Sequence, residues 1–327
     1  MNSGLKVLRK ILYAGMHFDY GRPSQGTSFE FNNFYRTLQR IVPSVVEFDF
    51  MSICQESGRE AMNAMLLEVA RREQPDLIFF IPFTDQFDRA VLRKLTAEFT
   101  TFNWFCDDHW RFSSYSRHYA PCFTYVSTTD PRAIERYRES GYEHALLTQW
   151  GCNHFDYAPS KGATRDLDVT FVGQPHGNRR KVIRRIENAG VPVQAYGQGW
   201  PHGRISQDEM ISVFNRSKIN LNLSNSSWNI HSFIRGRQQI KGRNFEIPGC
   251  GGFLLSNYVE GIGRFYEIDR EIVCFDSPHE LLEKIQFYRM HDSERERIAR
   301  AGYERTVRDH TYERRFNDLF RQMGFQR

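Results

Sequence analysis

The stretch KGRNFEIPGCGGFLLS, residues 241–256, decides how this chain is interpreted. It opens with two cations, Lys241 and Arg243, and a carboxylate, Glu246, runs into a Pro-Gly-Cys-Gly-Gly turn and ends in an apolar run. One interpretation is structural: a helix start, a breaker and a buried strand. The other is a ligand site in which the cations neutralise phosphate groups. The sequence on either side decides between them.

The second half of the chain alternates strand-like and helix-like segments around this stretch. LDVTFVG (167–173), VPVQAYG (191–197), KINLNLS (218–224), GFLLS (252–256) and REIVCFD (270–276) have the pattern of strands. Helical spacing lies between and after them, and residues 206–217 begin with a capping-box pattern, Ser206 followed three residues later by Glu209. This alternation is typical of a parallel sheet covered by helices.

The first half shows the same alternation, with predicted strands at 9–15, 45–50, 75–82, 100–110, 122–130 and 144–151. The run PDLIFFIP (75–82) is apolar on both faces, as in a buried parallel strand. The sequence therefore predicts an α/β chain of two doubly wound parallel sheets. We expect an N-terminal domain over 1–151, a linker over 152–166 and a C-terminal domain over 167–310. The amphipathic helix within 311–327 is expected to pack back on the first domain.

Composition sets outer limits on function. The chain has 327 residues, of which 40% are hydrophobic and 25% charged, and its formal net charge is +5. A mild positive charge suits a phosphate-bearing ligand, an anionic membrane surface or a nucleic acid. The apolar runs are far shorter than the roughly 20 residues that span a membrane. The six cysteines form no CxxC pair, so we expect them to be reduced.

Several of these motifs, in this order, resemble those of GT-B glycosyltransferases, more narrowly the CgeB-like, spore-maturation-protein branch and the group 1-like glycosyl transferases. They are DVTFVG, GQGW, KINLNLS, KGRNFEIPGCGGFLLS and the segment from SPHELLEKI to DHTYERR. The resemblance covers most of residues 167–315. It implies a GT-B fold: two Rossmann-like domains facing across a cleft, with the nucleotide-sugar donor on the second and the acceptor on the first.

The resemblance also implies roles within the opening stretch. Glu246 would accept hydrogen bonds from the ribose hydroxyls, and the turn of Gly249, Gly251 and Gly252 would let the backbone approach the donor. Many relatives carry a second Glu eight positions before Glu246, where this chain has Gln238. That difference argues against a retaining mechanism built on such a carboxylate.

Cations that suit a diphosphate occur in two places. Arg243 and Lys241 precede Glu246, and Gly173 begins a strand-to-helix loop that leads to Arg179. Helix N-termini bind anions through free N–H groups, and arginine offers a fork that matches phosphate oxygens. The alternative for each is an ordinary solvated basic residue in a βα turn.

Further donor-site candidates follow two strands of the second domain. Gly197 and Trp200 lie in YGQGW, which suits the edge of a base or sugar pocket or a tight turn with a packed Trp. Asn222 ends its strand, with Ser224 and Asn225 beyond it, and either lines the same site or caps a loop.

Candidates for the catalytic base lie after strands of the first domain. His17 and Asp19 occur in AGMHFDYGRP, and Asp107 and Asp108 in CDDHW. Histidine suits proton abstraction because its ordinary pKa lies near neutrality. The alternatives are a packed histidine and helix caps. The DDH triplet also permits a metal-dependent transferase, but two α/β halves favour the GT-B interpretation, so we expect no metal site and no essential metal.

These observations predict a glycosyltransferase that moves a sugar from a nucleotide-diphosphate sugar, its co-substrate, to an acceptor hydroxyl, in cell-surface glycan or polysaccharide synthesis. The expected acceptor is a glycan, a lipid-linked molecule or another hydroxyl. Two alternatives stay open: a phage-type transferase that modifies nucleic-acid bases, and a non-catalytic nucleotide-sugar binding protein. A cytoplasmic location is expected, with peripheral contact at the inner face of the membrane as an open alternative.

Overall fold

The computed structural model describes residues 5–224 and 238–326. The chain divides into two compact units. The first combines Met1–Gln149 with Tyr312–Arg327, and the second is the continuous stretch Trp150–Thr311. Each unit is built around its own parallel sheet.

Parallel strands and covering helices make up the first unit. Its strands up to residue 149 are β1 (Lys6–Val7), β2 (Lys10–Gly15), β3 (Ser44–Asp49), β4 (Leu77–Phe80), β5 (Thr101–Phe105), β6 (Tyr125–Thr128) and β7 (Ala145–Leu147). Its helices there are α1 (Arg36–Ile41), α2 (Phe50–Ser57), α3 (Arg59–Glu73), α4 (Arg89–Glu98), α5 (Asp108–Arg111), α6 (Arg117–Tyr119) and α7 (Pro131–Glu139). The strand order is β3-β2-β4-β5-β6-β7. The order reverses between β2 and β4, and open α/β sheets bind ligands at such a switch point, beyond the carboxyl ends of the strands.

The second unit repeats this plan. Its strands are β8 (Leu167–Val172), β9 (Val193–Tyr196), β10 (Ser217–Asn222), β11 (Leu254–Asn257) and β12 (Val273–Phe275), in the order β12-β11-β10-β8-β9. Its helices are α8 (Arg179–Asn188), α9 (Gln207–Arg216), α10 (Arg243–Gly249), α11 (Pro278–Met290) and α12 (Asp292–Asp309). The switch point of this sheet lies between β8 and β10.

The chain returns to the first unit through α13 (Tyr312–Gln322) and β13 (Phe325–Gln326). Strand β13 pairs in parallel with β1. On α13, Phe316 lies edge-on to Phe34 and Phe79, with ring centroids 5.5 and 5.7 Å apart. Tyr312 packs against Phe34 at 4.9 Å. All four rings are buried, so α13 completes the aromatic core of this unit.

Residues 150–166 contain no strand or helix of their own, yet they pack firmly within the second unit. The backbone N–H of Cys152 donates to the carbonyl of His310, and that of Ser160 donates to the Asn215 side chain at 2.6 Å. Arg165 donates to the carbonyls of Asn215 and Gly251.

Two glycines of the opening stretch meet this segment. A Cβ built on Gly249 would lie 2.2 Å from the Cys152 sulfur, and one on Gly251 would lie 3.1 Å from the ring of Pro159. Gly251 also has a positive φ of +67°, which favours glycine. These glycines are required for close packing and for the turn.

The fold class predicted from the sequence, two doubly wound parallel sheets, is confirmed. One local difference is the helix expected over 28–41, which begins as a π-helical turn over Phe31–Tyr35. Asn33 donates to the carbonyl of Phe29 and accepts, through its own carbonyl, a bond from Thr37. Side-chain bonds of this kind compete with the helical ladder.

No helix in the described ranges is long and apolar enough to cross a membrane. All six cysteines are free thiols.

We expect Gly249→Ala to destabilise the protein by about 1–3 kcal/mol, because the added methyl group would overlap the Cys152 sulfur. The measurement is chemical denaturation. Gly263→Ala is the matched control, since a Cβ there meets nothing within 4 Å. Adding Cys152→Ala should restore much of the lost stability, because it removes the overlapping atom. Equal stability of both glycine variants would contradict the packing role of Gly249.

Candidate functional site

A group of basic side chains lies at the switch point of the second sheet, and we call it the cation cluster: His176, Arg179, Lys241 and Arg243. Burial and the positive charges of Arg179 and Lys241 lower the pKa of His176. Burial and the charge of Arg243 lower the pKa of Arg179 to about 10. Charges influence one another this strongly only at short range. The structure therefore brings together three of the predicted phosphate ligands and adds His176.

Arg179 connects the two loops that form the switch point. It is the first residue of α8, and its guanidinium donates to the carbonyl of Gln174 at 2.8 Å and to that of Leu223 at 2.7 Å. Gln174 follows β8 and Leu223 follows β10. This cation is therefore held in place at the N-terminus of a ten-residue helix, where the helix dipole also favours anions.

Buried polar side chains fix the segment that carries Lys241 and Arg243. The backbone N–H of Lys241 donates to Asn244 Oδ1 at 2.9 Å. Asn244 and Asn222 both donate to the Ser256 hydroxyl, at 3.3 and 3.1 Å. Since Asn222 ends β10 and Ser256 lies in β11, the network ties this segment to the carboxyl ends of two strands. Asn222 thus positions the segment, while Asn225 lies outside the described residues.

Glu246 is completely buried beneath Arg243. Its Oε1 accepts a 2.8 Å hydrogen bond from the Tyr157 hydroxyl, and its Oε2 is paired with the Arg243 guanidinium. Burial lowers the pKa of Arg243, but the charge and hydrogen bond of Glu246, together with the influence of Tyr157 and Cys250, outweigh it and raise that pKa. In this conformation Glu246 presents no surface to a ribose, and what it does is hold Arg243. Gln238, which stands where relatives carry a second Glu, is exposed.

Gly173 and Gly197 bring two neighbouring loops into backbone contact. A Cβ on Gly197, whose φ is +132°, would lie 2.6 Å from the Gly173 carbonyl oxygen. The Trp200 indole N–H donates to that same oxygen at 2.7 Å, and the Trp200 ring packs near Phe171 and under Arg180. Trp200 therefore supports the loop after β8, which carries His176 and leads to Arg179 of the cation cluster.

Gly252 has no free space beside it either. A Cβ there would lie 2.9 Å from the Asn220 side chain and 3.1 Å from the Ile247 carbonyl oxygen. As at Gly249 and Gly251, the room beside the backbone is taken by the chain itself. The resemblance implied that this room serves the donor, and the structure gives it to packing.

His17 lies beyond the carboxyl end of β2 in the first unit. Its Nδ1 is 2.8 Å from Glu47 Oε1, and the ring packs against Phe31 with centroids 4.0 Å apart. About 30% of the His17 side chain is exposed. Burial raises the pKa of Glu47, and the His17 contact opposes that rise. A carboxylate that receives Nδ1–H leaves Nε2 as the proton acceptor, the arrangement of a general base and its orienting partner.

Three carboxyl groups of the first unit lie near one another: Asp19, Glu30 and Asp107. Burial raises the pKa of Glu30 to about 7, and the negative charges of Asp19 and Asp107 add to the rise. The two predicted aspartates, Asp19 and Asp107, therefore both lie close to Glu30. Each follows a strand at the carboxyl edge of the first sheet. Glu30 was not expected from the sequence.

Asp108 differs from its neighbour Asp107. It is 1% exposed and accepts a 2.9 Å hydrogen bond from the Tyr137 hydroxyl. Burial raises its pKa. Asp108 thus anchors α5 against α7, and a substrate hydroxyl would have to displace that contact to reach it.

The described residues contain no group of three or more His, Cys, Asp or Glu side chains placed to hold a metal ion.

Known proteins with similar sequences agree with this architecture. Residues 179–321 match the model of the family described as "Glycosyl transferase-like". The spore protein CgeB of Bacillus subtilis (strain 168) is 21% identical over 209 residues, which is 58% of this chain and 64% of that protein. The match thus spans slightly less than two thirds of the length of this relative.

Solved structures share the fold over almost the whole chain. Sucrose-phosphate synthase from Thermosynechococcus elongatus has a TM-score of 0.64 at 11% identity, with 96% of this chain and 99% of that chain covered. The Anabaena protein HepE in complex with UDP and glucose has a TM-score of 0.62 at 11% identity, with the same coverage. This chain has the GT-B fold. The resemblance noted from its sequence motifs is confirmed.

Sequence reasoning did not find Glu47, Glu30, Tyr157 or His176. Glu47 lies within a strand and Tyr157 in an irregular segment, so neither follows a motif. Only the three-dimensional pairing of β2 with β3, which sets Tyr13 opposite Glu47, brings the latter near the loop after β2. His176 is visible in GQPHGNRRK, but nothing there distinguishes it from a surface histidine.

We expect the stability of the protein to fall as pH rises from about 4.5 to 7, in part through Glu30. Its pKa is about 7 in the folded protein and 4.5 as a free side chain, so the folded state binds the proton more tightly across this window. Glu30→Gln should remove this contribution, and its advantage over the wild type should approach about 3 kcal/mol above pH 7. Below pH 5 the difference should vanish.

The measurement is denaturant unfolding between pH 4.5 and 8. Glu68→Gln, which removes an exposed carboxylate on α3, controls for the loss of one charge. A constant difference between Glu30→Gln and the wild type across the range would show that folding does not shift the pKa of Glu30.

Proposed function

We propose that the protein is a glycosyltransferase that moves a sugar from a nucleotide-diphosphate sugar to an acceptor hydroxyl. The observation that carries the proposal is the cation cluster at the switch point of the second sheet and the N-terminus of α8. The family match and the GT-B fold support the same conclusion. HepE, whose structure contains UDP and glucose, is a neighbour in fold that binds such a ligand.

A diphosphate would relieve the repulsion within the cation cluster. The charge of Arg243 lowers the pKa of Arg179, which means that the two cations destabilise one another. An anion placed between them turns this repulsion into attraction. Arg179 and Arg243 offer planar forks for phosphate oxygens, and Lys241 offers a point charge.

The same cations would stabilise the leaving group. When the bond between the sugar C1 and the diphosphate oxygen breaks, that oxygen keeps the electron pair and gains negative charge. Preorganised cations in a partly buried site are effective against such developing charge. We therefore propose that transfer needs no divalent metal ion.

The His17–Glu47 pair is the proposed base. His17 Nε2 would take the proton from the acceptor hydroxyl while the hydroxyl oxygen bonds to C1 of the sugar. Glu47 would hold the ring and stabilise the imidazolium formed. A single displacement of this kind inverts the configuration at C1. Asp19 and Asp107 are secondary candidates, and Asp108 is disfavoured by its burial.

Calorimetric titration with UDP, GDP, ADP, CMP and dTDP tests the donor site. One nucleoside diphosphate should bind, and EDTA should not change its affinity. Arg179→Ala and Lys241→Ala should each weaken binding about 10-fold or more, about 1.4 kcal/mol, because each removes a cation from the phosphate site. Arg184→Ala, an exposed arginine on the same helix, should stay within about twofold.

Since Arg179 also ties two loops together, thermal unfolding must accompany its titration. Lys241→Ala tests the site without that complication. Normal binding by a folded Lys241→Ala and Arg179→Ala would refute the phosphate role. No binding of any nucleotide by the wild type would refute the proposed function.

Turnover tests the proposed base. His17→Ala should lower kcat by about 100-fold or more while donor affinity stays near normal, because the base acts on the acceptor. Glu47→Gln should lower kcat less and leave donor affinity unchanged, since it disturbs only the orientation and charge of His17. The readout is hydrolysis or transfer of the sugar nucleotide whose diphosphate binds in calorimetry.

Asp108→Asn provides the contrast, with a loss of stability rather than a selective loss of kcat. Full turnover in His17→Ala would move the base to Asp19 or Asp107. Binding of the sugar nucleotide by the wild type without any turnover would favour a non-catalytic binding protein.

A further inference from the structure

Three aromatic side chains are exposed at the carboxyl edge of the first sheet. Tyr20 is 40% exposed, Phe83 39% and Trp110 51%, and we call them the aromatic triad. They follow three different strands, β2, β4 and β5, so the fold and not the sequence brings them to one edge. Tyr20 and Phe83 touch edge to face with centroids 5.4 Å apart, across the switch point of this sheet.

The loop that carries Phe83 is held unusually firmly for an exposed loop. Four consecutive carbonyls, those of residues 83–86, each accept a hydrogen bond from a side chain of another element. The donors, in order, are Arg111, Tyr115, Arg59 and Asn63. Fixing an exposed loop in this way costs conformational entropy and buries little apolar surface. It does preorganise the Phe83 ring for a ligand.

Arg111 links two members of the aromatic triad. Its guanidinium donates to the Phe83 carbonyl at 2.8 Å and lies 5.6 Å from the Trp110 ring centroid. It also stacks on Tyr115 at 4.2 Å. Through these contacts, the Arg111 guanidinium holds the Phe83 loop and the Trp110 ring in place.

Tyr20 has a backbone conformation that a bulky residue rarely adopts. Its φ is 53° and its ψ is 27°, in the left-handed region. Such a conformation is unfavourable for a residue with a Cβ, and Asn or Gly would adopt it more readily. Because the Tyr20 ring is exposed, burial does not offset the cost, and strain of this kind is concentrated at functional sites.

The charges around the aromatic triad distinguish between classes of partner. Asp19 precedes Tyr20, Asp107 lies three residues before Trp110, and Glu30 lies in the field of both carboxylates. These carboxylates offset the charge of the Arg111 guanidinium, so the edge offers no excess of positive charge to the phosphates of nucleic acid or of an anionic membrane surface. Carboxylates are, however, strong acceptors for hydroxyl groups, and aromatic faces pack against the apolar faces of sugar rings.

We propose that the aromatic triad is the acceptor subsite and that the acceptor is an uncharged or cationic saccharide. A sugar ring stacks on Tyr20, Phe83 and Trp110, while its hydroxyls donate to the neighbouring carboxylates. The proposal rests on the proposed function and names the substrate class of that reaction. It disfavours DNA and a lipid surface as partners of this edge.

The test is direct binding of saccharides in the absence of any nucleotide. A glycan array of neutral and amino-sugar oligosaccharides selects a probe, and calorimetry measures its affinity. Phe83→Ala and Trp110→Ala should each weaken binding about 10-fold or more, the scale of lost stacking. Phe287→Ala, an aromatic residue that is 45% exposed on α11 of the second unit, is the matched control and should bind normally.

Tyr20→Asn separates a ligand role from a structural one. Asparagine tolerates the left-handed conformation, so the melting temperature should stay level or rise, while saccharide affinity falls. A merely structural Tyr20 would show the opposite, a lower melting temperature with unchanged affinity.

Two further probes test nucleic acid and a lipid surface as partners: a short DNA duplex, and vesicles of phosphatidylcholine with phosphatidylglycerol. Binding of either, lost in Phe83→Ala and Trp110→Ala, would overturn the proposal, as would failure of every saccharide on the array. Nucleotide titration is separate from these experiments. If the protein binds saccharides but no nucleotide, the aromatic triad stands as a saccharide subsite and the proposed donor site is refuted. If it binds a nucleotide but no saccharide, only the role of the aromatic triad is refuted.

Discussion

The buried carboxylate of Glu246 is a constraint on which much of the second unit depends. A carboxylate with no exposed surface must be paired, and it is held by Arg243 on one oxygen and Tyr157 on the other. The pair sets the position of Arg243 in the cation cluster. Tyr157 in turn fixes the irregular segment that meets Gly249 and Gly251. One buried charge therefore connects the start of the unit, the glycine turn and the cations.

The two units share one sheet topology but carry different kinds of candidate functional side chains. Each sheet reverses its strand order once, and each places its functional candidates beyond the carboxyl ends of the strands at that point. In the second unit these are cations on helix α8 and before helix α10. In the first they are a histidine, carboxylates and exposed rings. The fold supplies the position of these candidates, and the loops supply their chemistry.

Most strands and helices were predictable because their apolar periodicity is strong, as in residues 59–73 and 77–80. The short pair β1 and β13 was not, since two-residue strands carry no periodicity. Helix α2 was missed because it follows β3 without a loop, capped by Asp49.

Within the candidate sites, Arg179, Lys241 and Arg243 stand in readable motifs. Glu47, Tyr157 and the triad of rings come together only through strand pairing and loop packing. The glycine turn shows most clearly what the sequence leaves open. The sequence indicates that small residues are needed there, but it does not show which neighbouring atoms fill the space beside them.

The first unit is assembled from two separate stretches of chain. Its aromatic core contains Phe34 and Phe79 from one stretch and Phe316 from the other, and β1 pairs with β13. The second unit, by contrast, is continuous from Trp150 to Thr311. During synthesis on the ribosome the second unit can therefore complete its core while the first still waits with exposed rings for α13. The stretch of the first unit that is translated before the second unit thus depends on a helix that is translated after it.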